Sequence, residues 1–174
     1  MKLKTRKLVE AAMFMAIGLV LPFITGQIPA VGKALSPMHI PVLLCGFLVG
    51  WPYGLAVGFL TPLLRSLLFG MPAIYPNAVG MAFELATYGL VSGLLYARFS
   101  KKNLLSIYLT LVISMLAGRV VWGLISPVLY SVQGKAFTFQ MFLAGGFVNA
   151  LPGIILHLVL IPPLVLALQK VRRK

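Results

Sequence analysis

Acids are almost absent from this chain. Against fifteen lysines and arginines it carries only two carboxylate side chains, Glu10 and Glu84. A single cysteine, Cys45, excludes an internal disulfide and falls short of a metal site, so it is read as a small packing residue. No His, Cys and carboxylate set has metal-ligand spacing, and no serine has a base and an orienting acid near it. Metal and hydrolytic chemistry therefore find no support, and the chain does not read as an enzyme. There is no GxxxxGK[ST] segment, so ATP is not bound by that route and no cofactor is expected. Long polar stretches are missing too: 60% of the 174 residues are hydrophobic and 10% charged. A soluble domain of this size could not hide so much apolar surface. The excess must face lipid, and the expectation is an all-α polytopic membrane protein, one bundle over residues 1–174.

A bilayer core of roughly 30 Å needs about 20 helical residues. On that criterion six segments emerge, at about 7–25, 38–50, 54–69, 77–97, 104–127 and 138–168. The first follows a basic stretch and has the look of a signal peptide, but no small-residue cleavage site follows, so a retained helix is expected. The second is short. The last is long enough to hold a break, expected at Pro152-Gly153. The net charge of +13 would suggest nucleic acid in a soluble protein. Here the basic residues sit at segment ends. Lys2, Lys4, Arg6 and Lys7 precede the first segment, Arg98, Lys101 and Lys102 join the fourth to the fifth, and Lys170, Arg172, Arg173 and Lys174 close the chain. With six crossings all three groups share one side, opposed only by Lys33 and Lys135. Both termini are thus expected in the cytoplasm of a cell whose plasma membrane holds the bundle, with no role for nucleic acid.

Three charges interrupt the apolar segments: Arg65, Glu84 and Arg119. Each costs roughly 2.5–3.5 kcal/mol at the bilayer centre on insertion scales, so a common cause is needed. Counting ~1.5 Å per residue from the basic ends puts them at similar heights, nearer the far side. Their neighbours recur at helical spacing: Asn77, Met81, Glu84 and Tyr88 on the fourth segment, Arg119 and Trp122 on the fifth, and Asn149, Gly153 and His157 on the sixth. A pocket is expected, with Arg65, Glu84 and Arg119 holding a solute, Trp122, Tyr75 and Tyr88 as apolar or stacking walls, Asn77 and Asn149 on its lined faces, and His39 at its mouth. The plainer alternative pins two helices with one Glu84–arginine pair and leaves the second guanidinium to cap the carbonyls of a broken helix. His39 is equally open to a satisfied core position, and His157 is expected to be structural. Glu10 lies within i,i+4 reach of Arg6. Two arginines against one buried acid favour a carboxylate-bearing or acceptor-rich solute.

Small residues mark a second surface. Ala12 and Ala16 form an AxxxA pair on the first segment, a spacing that lets another helix approach closely, with Gly18 extending the same face. The pairs Gly50/Gly54/Gly58 and Gly89/Gly93 are expected to pack inside the bundle.

The basic KLKTRKLVEAAMFMA start, the stretch HIPVLLCGFLVGWPYGLAVGFLTPLLRSLLFG and the following NAVGMAFELATYGLVSGLLY, within six helices and this length, resemble the substrate-binding S component of energy-coupling-factor (ECF) vitamin transporters of prokaryotes. That resemblance implies a subunit that captures a vitamin or related solute near the outer face, under the loop at 26–37. It implies docking through Ala12 and Ala16 on a transmembrane coupling subunit, with ATP hydrolysed by two cytoplasmic partner ATPases, and release after the loaded bundle topples in the membrane. Among vitamins pantothenate suits the charge count, with riboflavin, pyridoxine and a thiamine precursor open. A rival reading is a self-sufficient secondary transporter with Glu84 as its coupling carboxylate. No motif in the chain specifies the solute.

Overall fold

A computed structural model describes residues 3–25, 34–100 and 103–172; most of the 26–37 loop lies outside these. No strand occurs among the described residues. Helix α1 (Leu3–Val20) tightens into a 3-10 turn at Leu21–Thr25, where Pro22 has no N–H to continue the α ladder. Helix α2 (His39–Leu48) is short and buried at every position from His39 to Phe47. After a glycine at φ 115°, Gly50, helix α3 spans Trp51–Phe69 with a proline in its first turn, the one place where the missing N–H costs nothing. It stops at Gly70, whose φ of 70° closes the helix and whose N–H donates to the Ser66 carbonyl at 2.9 Å.

A wide π-type turn at Ile74–Ala78, with Tyr75 extended, leads into α4 (Val79–Arg98). Helix α5 (Leu104–Val132) starts on Asn103, whose side chain accepts from Ser106 N at 2.9 Å. Thr138 caps the short α6 (Phe139–Leu143), which passes through a π turn at Ala144–Val148 into α7 (Leu151–Arg172). Among the described residues five helical stretches are long and apolar enough to cross a membrane: Leu3–Ile24, Trp51–Phe69, Ile74–Arg98, Leu104–Val132 and Phe139–Arg172; α2 is too short by that measure.

Helices α2 and α4 form the centre. Helix α2 packs on α1, α3, α4 and α7, and α4 packs on α2, α3 and α5. The α3–α4 seam is the closest. A Cβ on Gly89 would stand 2.1 Å from the Gly54 carbonyl oxygen, and one on Gly58 2.2 Å from that of Leu85, so these backbones touch only because both positions lack side chains. Gly50 does not share that duty; it serves its positive φ. The outward faces are apolar, with residues such as Leu124, Val128 and Val159 well exposed, as a lipid-facing surface requires.

The structure differs from the sequence expectation in three places. Helix α5 does not stop at Pro127 but continues to Val132. The break before α7 falls at Asn149-Ala150 rather than Pro152-Gly153, because Pro152 occupies the first turn of α7, where a proline is harmless. Gly18 is buried against Thr61, where a Cβ would meet Cγ2 at 2.9 Å, so it packs α1 on α3 and does not extend the exposed face of Ala12 and Ala16.

The basic ends of α1, α4 and α7 gather at one end of the bundle. There Gln169 Nε2 donates to the Tyr96 hydroxyl at 2.8 Å, and Arg172 donates to both the Leu48 carbonyl and Glu10. The other end is built from Leu21–Thr25, the α3–α4 connection and the stretch between α5 and α7. It holds the cavity.

Candidate solute-binding site

Glu84 projects from the second turn of α4 and is 3% exposed. Its Oε1 pairs with Arg119 Nη1 of α5 at 2.9 Å and accepts from the Tyr88 hydroxyl, one turn further along α4, at 3.1 Å. His39 Nε2, from the start of α2, faces the same oxygen at 3.7 Å. The Ser36 carbonyl, which can only accept, lies 3.0 Å from His39 Nδ1, so that nitrogen carries a hydrogen. Gly118 makes the packing possible: a Cβ there would stand 2.0 Å from the Tyr88 ring. Three helices therefore converge on one carboxylate oxygen, and Oε2 receives no donor among the described residues. Arg119 is likewise partly unspent: Nη1 forms the ion pair, and Nε is buried without a hydrogen-bond partner among the described residues.

A cavity of about 440 Å³ opens over this pair. That volume lies within the usual range of small-ligand sites. Glu84 and Arg119 form one side with His39, Met38 and Met81. Trp122, Ser126 and Tyr130 follow Arg119 along α5, and Phe137 lines the cavity with them. The Trp122 and Phe137 rings meet edge to face at 5.6 Å, and Tyr130 reaches Phe137 at 5.3 Å. Asn77 and Asn149 add amides, and Pro22, Met71 and Pro72 lie on the side of the α1 end and the α3–α4 connection. Gly145 is needed here, since a Cβ would come within 2.9 Å of the Trp122 ring.

Arg65 lines the same cavity but belongs to a different set of contacts. Its guanidinium lies over Phe23 at 4.8 Å and Phe69 at 5.3 Å, and Nη1 donates to the Leu19 carbonyl. Leu19 is at the end of α1, where carbonyls lose their intrahelical partners. Arg65 thus ties α1 to α3 and makes no bond to Glu84 among the described residues.

The chain matches the family described as "ECF transporter, substrate-specific component" over residues 6–165. It belongs to that family. The S component is thus a multi-pass membrane protein of a transporter family rather than an enzyme family, and the family works on small molecules together with a transmembrane and ATPase module. No curated protein and no solved structure gives a significant match.

In this S component the residues expected from sequence fall into two groups. Arg65, Glu84, Arg119, Trp122, Asn149, Asn77 and His39 all line the cavity. Tyr75 and Tyr88 do not. Tyr75 turns away to donate to the Leu129 carbonyl at 2.6 Å, and Tyr88 is fully buried behind Glu84, orienting the carboxylate rather than walling the cavity. The aromatic wall is instead Trp122, Tyr130 and Phe137. Tyr130 was within reach of sequence reasoning, because Arg119, Trp122, Ser126 and Tyr130 are three, four and four apart; ending the helix at Pro127 cut the stripe short. Phe137 precedes α6 and carries no periodic signal. His157 stacks on His39 at 5.7 Å, is buried, and has no hydrogen-bond partner at either ring nitrogen among the described residues. Ala12 and Ala16 are exposed on α1. Among the described residues no group of three His, Cys, Asp or Glu could hold a metal.

Proposed function

We propose that this S component is the capture subunit of an ATP-driven importer: it takes a vitamin or related small solute from outside and docks on a transmembrane coupling subunit served by two cytoplasmic ATPases. The observation that carries the reading is the cavity with a half-satisfied buried ion pair on its wall. A pair that only pinned α4 to α5 would be better closed on itself, since an unfinished buried carboxylate is costly. The basic end of the bundle is read as cytoplasmic, which directs the cavity outward, with α2 counted as a sixth, short crossing. The solute then meets Glu84, Arg119, Trp122, Asn77, Asn149 and His39, with Arg65 at the α1 side of the cavity. Ala12 and Ala16, exposed and small, are assigned to docking, and no cofactor of the chain's own is required.

The test is uptake into vesicles. With the coupling subunit and ATPases present, solute should enter only with ATP; the chain alone should bind and not transport. Ala12→Trp with Ala16→Trp should abolish uptake and spare binding. Arg119→Ala should abolish binding. ATP-independent uptake by the chain alone would instead establish a secondary transporter coupled through Glu84. Undiminished binding in both Arg119→Ala and Arg65→Ala would remove the cavity from the mechanism.

A further inference from the structure

We infer that the ligand of this cavity is a flat heteroaromatic ring with a neutral lactam- or imide-type edge, its N–H donating to Glu84 Oε2 and its neighbouring carbonyl accepting from Arg119. The inference rests on the capture reading above and names the chemistry of the same site. Its basis is the geometry of the ion pair. A bidentate arginine–carboxylate pair would spend two guanidinium N–H groups on both oxygens and leave no carboxylate oxygen without a donor. Here Arg119 Nη1 pairs with Oε1 of Glu84, and the Tyr88 hydroxyl and His39 turn to the same Oε1. What remains is an acceptor, Oε2, beside unspent arginine donors, on a carboxylate that is 3% exposed and lines the cavity. An acceptor beside a donor is complementary to a donor beside an acceptor, which is the edge of a cyclic amide.

Charge points the same way. Glu84 and Arg119 cancel, so the ligand edge between them is neutral. A carboxylate brought up to Arg119 would have to pass Oε2 of like charge at short range in a low-dielectric site. The shape argument comes from the wall: Trp122 and Phe137 stand at 84° to one another, so a flat ring can stack on one and meet the edge of the other.

Equilibrium binding to the purified full chain in detergent tests this with three probes: lumazine, which has the N–H and carbonyl edge; 1,3-dimethyllumazine, the same ring without an N–H; and 2-naphthoate, a flat carboxylate. The wild type should bind lumazine at least about tenfold more tightly than either of the others, the effect of one hydrogen bond to a buried charged group. Glu84→Gln makes the sharper test. With the side-chain oxygen still held by Arg119 and Tyr88, the amide NH2 takes the place of Oε2, turning the free acceptor into a donor and removing the negative charge. Lumazine should then weaken by at least about tenfold and 2-naphthoate should become the tighter ligand. Reversal of that kind does not arise from misfolding. If Glu84→Gln does not fold, the comparison of lumazine with its dimethyl derivative in the wild type decides alone. Equal binding of those two, tighter binding of 2-naphthoate by the wild type, or no binding of any probe overturns the edge assignment. Mass spectrometry of co-purifying compounds separates this from the capture reading: a bound solute lacking such an edge sinks the former and keeps the latter, whereas no bound solute together with no uptake in the complete system sinks both.

Discussion

The two carboxylates of the chain are used in opposite ways. At the basic end, Glu10 spends both oxygens: Oε1 takes Arg6 Nε at 3.0 Å and Oε2 takes Arg172 Nη2. Its partners are half exposed or nearly so, at 52% for Arg6 and 30% for Arg172, and Arg172 also caps the final carbonyl of α2 at Leu48. Glu84, 3% exposed, gathers Arg119, the Tyr88 hydroxyl and His39 around one oxygen and leaves the other without a donor among the described residues. The first arrangement is closed and wet, and it ties α1, α2 and α7 together. The second is open and buried. A protein that needed only to hold its helices would build the first kind twice. That the buried site, where unmade bonds cost most, is the unfinished one is the physical reason to assign it to a ligand.

Removing each carboxylate should break the comparison most visibly at Glu84. Glu84→Ala leaves Arg119 as a buried cation without a counter-charge. The expected loss is about 3–5 kcal/mol of stability, with solute binding abolished. Unfolding in mixed detergent, read by tryptophan fluorescence, measures the first, and retention of the co-purifying solute measures the second. A loss below about 1 kcal/mol would mean that Arg119 finds another partner and that the pair is not the centre of the site.

The double variant Glu84→Met with Arg119→Met separates holding from binding. Replacing a whole buried ion pair with apolar side chains of similar size is often neutral or stabilising. Stability should return to within about 1 kcal/mol of wild type while binding stays absent. Restored binding in this variant would place the ligand elsewhere in the cavity.

Arg65 sharpens the comparison, because it shares the cavity with Glu84 yet is engaged more like Arg172, on a helix-terminal carbonyl. Arg65→Met should cost about 2 kcal/mol, from the charged bond to Leu19 and the contacts with Phe23 and Phe69. Affinity should fall by less than about tenfold, since a bond to a charged group is worth more than that. A loss of binding as complete as that of Arg119→Ala would show that Arg65 grips the ligand directly.

These roles were unevenly legible in the sequence. Apolar runs and basic ends locate the helices to within a few residues, because lipid imposes length and charge placement on every crossing. Interrupting charges also point to the cavity, since Glu84 and Arg119 sit at a cost in apolar segments. The i,i+4 pair of Arg6 and Glu10 is local and therefore visible. Partner choice between distant helices is not. Nothing in the spacing says that Arg119 rather than Arg65 reaches Glu84, that Arg172 crosses to Glu10, or that Tyr88 turns behind the carboxylate instead of into the cavity. Helical periodicity assigns a residue to a face but leaves open what that face meets. Of the two guanidinium roles that remained open, ion pairing and capping of a helix end, the structure uses both, one for each arginine.

The smallest effect belongs to Glu10. Exposed and partly exposed ion pairs contribute about 0–1 kcal/mol, and after Glu10→Ala Arg172 keeps the Leu48 carbonyl while Arg6 turns to water. Stability should fall by no more than about 1 kcal/mol, and raising the salt concentration should shrink even that difference, because both guanidinium groups are within reach of the ions. Solute affinity should not change, since Glu10 is absent from the cavity lining. The same salt titration on Glu84→Ala should leave its deficit in place, as a pair enclosed by α2, α4 and α5 is screened far less. If the two deficits responded alike to salt, the distinction between a closed, solvated tie and an open, desolvated grip would not hold.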